Sequence, residues 1–122
     1  MGPGAVTRLI ASTWLFAMKA RLNDDTADRL AIVVEEWAAN IIEHSQAPLG
    51  SRIVLQLEQV GAGVRLTVTD AGVAFDPRTV EDTGPNPERG GGAGLALIRA
   101  WSEIEDYRRR GGRNRLVLRS RS

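Results

Sequence analysis

Cysteine is absent from this chain. There is therefore no disulfide framework and no thiolate metal centre. Net charge is close to balance, at +1 over 122 residues, so no overall basic field recruits nucleic acid or an acidic membrane. No apolar run approaches the roughly 18 residues needed to cross a bilayer. The N-terminus has no basic segment leading into an apolar one, so no signal peptide is expected and the cytoplasm is the default location. What the chain does have is 43% hydrophobic content, enough to fill one core, and its length suits one domain spanning residues 1–122.

Residues 1–5 are short and bear glycine and proline, and are expected to fray. Apolar residues from Val6 to Ala20 recur at helical spacing, predicting a helix over residues 6–22. Asn23, Asp24, Asp25 and Thr26 supply N-cap chemistry and negative charge for a second helix over residues 25–45. Its buried stripe is Ala27, Leu30, Val34, Trp37 and Ile41, and Pro48-Leu49-Gly50 marks the stop. Alternation in residues 53–58 and 64–69, joined by Gly61-Ala62-Gly63, predicts a β-hairpin. An irregular stretch, residues 76–89, carries Pro77, Pro85 and Pro87. Loops of that length are commonly functional lids or disordered. A short helix follows, then a closing hairpin around Gly111-Gly112. The arginines of this C-terminal end (Arg108, Arg109, Arg110, Arg113, Arg115, Arg119 and Arg121) fit a solvated hairpin better than a binding patch. The order predicts an α+β fold, a two-layer α/β sandwich with helices on one face of a mostly antiparallel mixed sheet.

Three polar clusters interrupt this pattern. Glycines Gly90, Gly91, Gly92 and Gly94 run into the apolar helical residues Leu95, Leu97 and Ile98. Glycine permits close backbone approach, and a helix start aims free N–H groups at one spot, which suits phosphate. Arg89 immediately before them can reach a terminal phosphate. Both features also suit a plain flexible loop. On the second helix, Glu36, Asn40 and His44 fall four apart with Glu43 beside them. The Asn40 amide oxygen is a hard donor of the kind Mg²⁺ takes, and Glu36 can accept a proton. The same residues could be an ordinary solvent face, and His44 a helix-end residue. Asp70 ends a strand two residues before Gly72. Its carboxylate can accept from an exocyclic amine such as adenine N6, with Gly72 leaving room for the ring, or it can form a strand-ending Asx turn.

Taken in order, the clusters resemble the ATP-binding domain of gyrase, heat-shock chaperones, MutL-type repair proteins and sensor histidine kinases, the GHKL superfamily with the Bergerat ATP-binding fold. Within it the chain is most similar to the small bacterial anti-sigma-factor serine/threonine kinases. Residues 34–44 look like the N box, residues 70–76 like the first glycine box, and Gly92-Ala93-Gly94-Leu95 like the second. Residues 101–107 match the family's exit from its last helix into a strand. The resemblance implies ATP and Mg²⁺ as cofactors, with Asn40 holding the metal and Glu36 as general base. It implies Asp70 on adenine with Gly72 beneath the ring. A lid over residues 76–93 would bring Arg89, Gly90, Gly91, Gly92, Gly94 and Leu95 to the phosphates.

Glu36 and Glu43 depart from the histidine-kinase pattern, and the single histidine lies inside the N box. The family's N-terminal strand has little chain to form it, the residue after the base is the large Trp37, and the lid is rich in proline. The implied activity is phosphorylation of a small anti-sigma-factor antagonist, alternating with sequestration of a sigma factor or similar regulator. The likeness also implies a homodimer, with no direct nucleic acid and no membrane as partners. Two other readings are a nucleotide-binding partner-switching module with little kinase activity, and a helix-on-sheet interaction domain with no nucleotide.

Overall fold

The computed structural model describes residues 4–44, 51–61, 63–78 and 93–120. Two helices come first, α1 (Ala5–Lys19) and α2 (Asp24–His44). A hairpin follows, β1 (Val54–Val60) and β2 (Gly63–Asp70), then α3 (Ala93–Trp101) and a second hairpin, β3 (Ser102–Arg110) and β4 (Arg113–Ser120). The four strands form one sheet in the order β1-β2-β4-β3, antiparallel at every described pairing.

α1 begins one residue earlier than the apolar spacing suggests and ends three residues sooner. Its stop is a Schellman turn. The Leu22 N–H donates to Ala17 O at 3.1 Å and the Arg21 N–H to Met18 O at 3.2 Å. The left-handed position that closes such a turn is usually glycine, but here it is Arg21, at φ 55. Without a glycine, the sequence carries no stop signal at that point. α2 starts where capping chemistry predicts, with the Asn23 Oδ1 accepting the Thr26 N–H at 2.8 Å.

Leu30, Val33, Val34, Trp37 and Ile41 of α2 bury against one face of the sheet. That face is supplied by Val64, Leu66 and Val68 of β2 and by Leu116 and Leu118 of β4, with Ile98 of α3 completing the core. Residues paired directly across antiparallel strands share a face. The register therefore places Asp70 and Asn114, which are paired, at the end of this same inner face. β3 joins it through a bulge between Ile104 and Asp106. An extra residue shifts the two-residue phase of a strand. After the bulge the inner face carries Tyr107, paired with Leu116, and Arg109, paired with Asn114. The final row of the inner face thus reads Asp70, Asn114, Arg109 across three strands.

Among the described residues no helix is long and apolar enough to cross a membrane. Residues 1–3 and most of the expected lid, residues 79–92, lie outside the described residues.

Candidate nucleotide site

A small recess, about 10 Å³, lies where the C-terminal half of α2 overlies the last row of the sheet. It is lined by Trp37, Asn40 and Ile41 from α2, Asp70 and Asn114 from the strand ends, and Val73 and Phe75 from the segment after β2. Trp37 is 3% exposed, and its ring lies 5.9 Å from that of Phe75 at a tilted 43°. Apolar walls with a few polar groups are the lining common to small-molecule sites.

The structure brings Asn40 and Asp70 to one cavity although thirty positions separate them in sequence. The Nδ2 of Asn40 and the Nε1 of Trp37 are buried with no hydrogen-bond partner among the described residues. An orphaned buried donor costs about 1–3 kcal/mol, so two beside one cavity are groups that a ligand would satisfy. Glu36 is half-buried, one helical turn before Asn40, and is not part of the cavity wall. Its carboxyl is raised above the ordinary range, first by burial and then by the charge of Glu35. A base whose affinity for protons moves toward neutrality is better matched to taking one from a hydroxyl.

Asp70 is 4% exposed. Its Oδ1 accepts the Gly72 N–H at 2.8 Å and the Asn114 Nδ2 at 3.1 Å. The Asx turn and the ligand-facing carboxylate are therefore compatible, because the turn engages one oxygen and the residue still lines the cavity. Gly72 is buried, and its carbonyl accepts from Arg109 at 2.8 Å. Leu95 packs partly buried against the core. Gly94 lies in the first turn of α3. Arg89, Gly90, Gly91 and Gly92 lie outside the described residues, as does the His44 side chain. Among the described residues no group of three or more His, Cys, Asp or Glu side chains could hold a metal. The metal-binding expectation therefore rests on Asn40 alone, through its Oδ1, a hard oxygen donor of the kind Mg²⁺ takes with few protein ligands and phosphate oxygens for the rest. The Nδ2, unpartnered among the described residues, is a donor and suits an acceptor atom of a ligand, not a cation.

Reading the sequence did not bring Asn114, Tyr107 or Arg109 to this site. Asn114 is 4% exposed and bonds to Asp70, to Val73 O at 2.8 Å and to Arg109 at 3.0 Å. The Tyr107 hydroxyl donates to the Asn114 Oδ1 and accepts the Phe75 N–H at 3.1 Å. The available signal was Asn114 itself, a polar residue in phase with Leu116 and Leu118 on an otherwise apolar strand face.

The helix-on-sheet sandwich is the fold of the kinase-like ATPase class. The chain belongs to the histidine kinase-like ATPase domain family, whose model matches residues 4–120. It is 32% identical over 130 residues to the serine/threonine-protein kinase BtrW of Bordetella bronchiseptica, covering 97% of this chain and 88% of that protein. Its fold is similar to the catalytic domain of histidine kinase ThkA, with a TM-score of 0.58 and 15% identity over 95% of this chain and 91% of that one. It is also similar to the Acinetobacter baumannii histidine kinase AdeS, with a TM-score of 0.56 and 18% identity, covering 93% of this chain. The chain spans 64% of that AdeS chain, and 30% of the blue-light activated histidine kinase of Erythrobacter litoralis, which it matches with a TM-score of 0.55 and 21% identity. The family carries ATP binding and a kinase-like ATPase fold; the likeness to the histidine kinases is one of fold alone.

Proposed function

We propose that this protein is an ATP-dependent serine/threonine kinase of the anti-sigma-factor type. It would transfer the γ-phosphoryl group to a serine or threonine of a small antagonist protein and, in the alternative state, sequester a sigma factor or similar regulator. The observation that carries the reading is the convergence of Asn40 and Asp70 on one cavity, with the Asn40 Nδ2 buried and without a partner among the described residues. Similarity to a protein named as a serine/threonine kinase supports the choice of acceptor.

In this reading the adenine ring lies between Trp37 and Phe75 on one side and Gly72 on the other, with its exocyclic amine on Asp70. The Asn40 Oδ1 would hold Mg²⁺, which when bound would supply charge neutralisation on the phosphates. Glu36 accepts the proton of the incoming hydroxyl as its oxygen bonds to the γ-phosphorus and the bond to the ADP oxygen breaks. Arg89 and the amides of Gly90, Gly91, Gly92 and Gly94, with Leu95 opening the helix behind them, would meet the transferring group.

The test is transfer of radiolabel from γ-labelled ATP to small proteins encoded beside this one, run with and without Mg²⁺. Label on a serine or threonine of one of them is the expected result. ATP-dependent thermal stabilisation without any transfer would favour the partner-switching module. Absence of any ATP effect would leave only a helix-on-sheet interaction domain.

A further inference from the structure

Four arginines of the closing hairpin collect on the outer face of the sheet, away from the helices. On β4, Leu116 and Leu118 bury inward, so Arg113 and Arg115 point outward. On β3, the bulge between Ile104 and Asp106 turns Tyr107 and Arg109 inward and therefore Arg108 and Arg110 outward. The register sets Arg108 directly opposite Arg115, and Arg110 directly opposite Arg113. All four are exposed. They form a two-by-two array, about 5 Å across the strands and about 7 Å along them. With strict alternation from Ile104, Arg113 and Arg115 would stand there without the other two.

Like charges directly opposite each other on a sheet are destabilising. The described residues offset one of the four, through the Arg108 Nε bond to Asp106 Oδ2 at 2.8 Å. Arg110, Arg113 and Arg115 make no ion pair among the described residues. The far end of the same face is balanced within the chain. Arg65 bonds Glu58 at 3.1 Å and Glu105 at 3.2 Å, and Arg119 sits in that row between Arg65 and Glu103. A second copy therefore has no surplus negative charge there to offer the array. Two rows are also a short track for a nucleic acid strand, and a net charge of +1 gives no field to draw one in. The array fits carboxylates instead. An extended peptide presents alternate side chains about 7 Å apart on one face, which is the spacing of the arginine rows, and guanidinium forks match carboxylates. Val54, 44% exposed, lies in the same row as Arg108 and Arg115 and adds an apolar footing. We propose that Arg108, Arg110, Arg113 and Arg115 dock an extended segment of a partner protein in which acidic residues alternate. This surface is on the opposite side of the sheet from the Asn40–Asp70 cavity and does not depend on the nucleotide reading.

A two-dimensional NMR titration of the full chain tests it, with a short peptide alternating serine with glutamate as the probe. Saturable shifts confined to Arg108–Arg115 and the adjoining outer-face residues are expected, absent with the serine–glutamine counterpart and weakened by salt. Arg110→Ser/Arg115→Ser should weaken the probe roughly five- to tenfold, the scale of two exposed ion pairs. Arg8→Ser/Lys19→Ser, which removes the same charge from α1, should leave affinity within about twofold. Equal weakening by both variants would reduce the effect to net charge and overturn the proposal. So would the absence of saturable shifts in wild type, or equal affinity for a peptide of the same composition with its glutamates clustered. Tighter binding of oligothymidylate at the same amides would overturn it in favour of a nucleic acid, and broadening there on concentrating the chain alone would overturn it in favour of a second copy.

Discussion

Replacing Asn40 by alanine separates a ligand-binding role from a structural one, because the two predict opposite signs in the free protein. The Asn40 Nδ2 is buried with no partner among the described residues. Its removal relieves a desolvation cost of about 1–3 kcal/mol. Alanine also favours a helix interior over asparagine by roughly 0.5 kcal/mol. Opposing these is the packing lost from a half-buried side chain, about 1 kcal/mol on an area basis. The net expectation for ligand-free Asn40→Ala is a stability higher than wild type by about 0.5–2.5 kcal/mol, roughly 2–10 °C in Tm for a domain this size. With MgATP the order reverses. Wild type gains about 2.7 kcal/mol at a hundredfold excess over Kd, roughly 10 °C on the same scale. Asn40→Ala should lose most of that shift. Thermal denaturation with and without MgATP reads both quantities. A ligand-free variant destabilised by more than about 1 kcal/mol would show the amide to be tied into the fold, and the argument from its orphaned nitrogen would collapse.

Glu36→Gln should keep ATP affinity and abolish phosphoryl transfer, as measured by titration and radiolabel assay. The raised Glu36 carboxyl means that the folded state holds this proton more tightly than the unfolded chain. Its favourable contribution is complete at acid pH and is lost as pH rises through the raised value. The glutamine variant should therefore match or exceed wild-type Tm at neutral pH, the difference vanishing below about pH 4. A variant less stable at neutral pH would contradict that sign. Arg21→Gly should raise stability by about 1 kcal/mol by relieving a left-handed side-chain clash, visible as a higher urea midpoint at constant m-value. Leu66→Ala, fully buried under α2, should cost about 2–5 kcal/mol; a loss below 1 kcal/mol would mean the core there can collapse around the gap.

Much of the architecture could be read in advance because each helix and strand carries its own period and its own punctuation. Asn23 announces α2, and Gly61 and Gly111 announce the two hairpins. The meeting of Asn40 with Asp70 was legible only through the order of the polar clusters and its likeness to a known ATP-binding domain, because each cluster alone also suits an ordinary helix face or a strand-ending turn. What escaped notice depends on pairing between distant segments. Arg21 adopts a glycine-like conformation under tertiary constraint, so nothing local marks the end of α1. The bulge after Ile104 reverses which residues of β3 face inward. Strict alternation from Ile104 would have turned Asp106 and Arg108 toward the core. The structure turns Tyr107 and Arg109 there instead, so one arginine of an apparently solvated run becomes part of the wall behind Asp70.

The cavity has its roof on α2 and its floor on the last row of the sheet. Neither layer holds the cavity alone, because Trp37 and Asn40 need the strands beneath them, and Asp70 and Asn114, though bonded to each other, line a cavity only once the helix covers them. Occupancy and layer assembly are thus one equilibrium viewed from two ends. A ligand there should slow amide exchange across the whole helix–sheet seam, well beyond the residues that touch it, and any loosening of the seam should appear first as weakened binding.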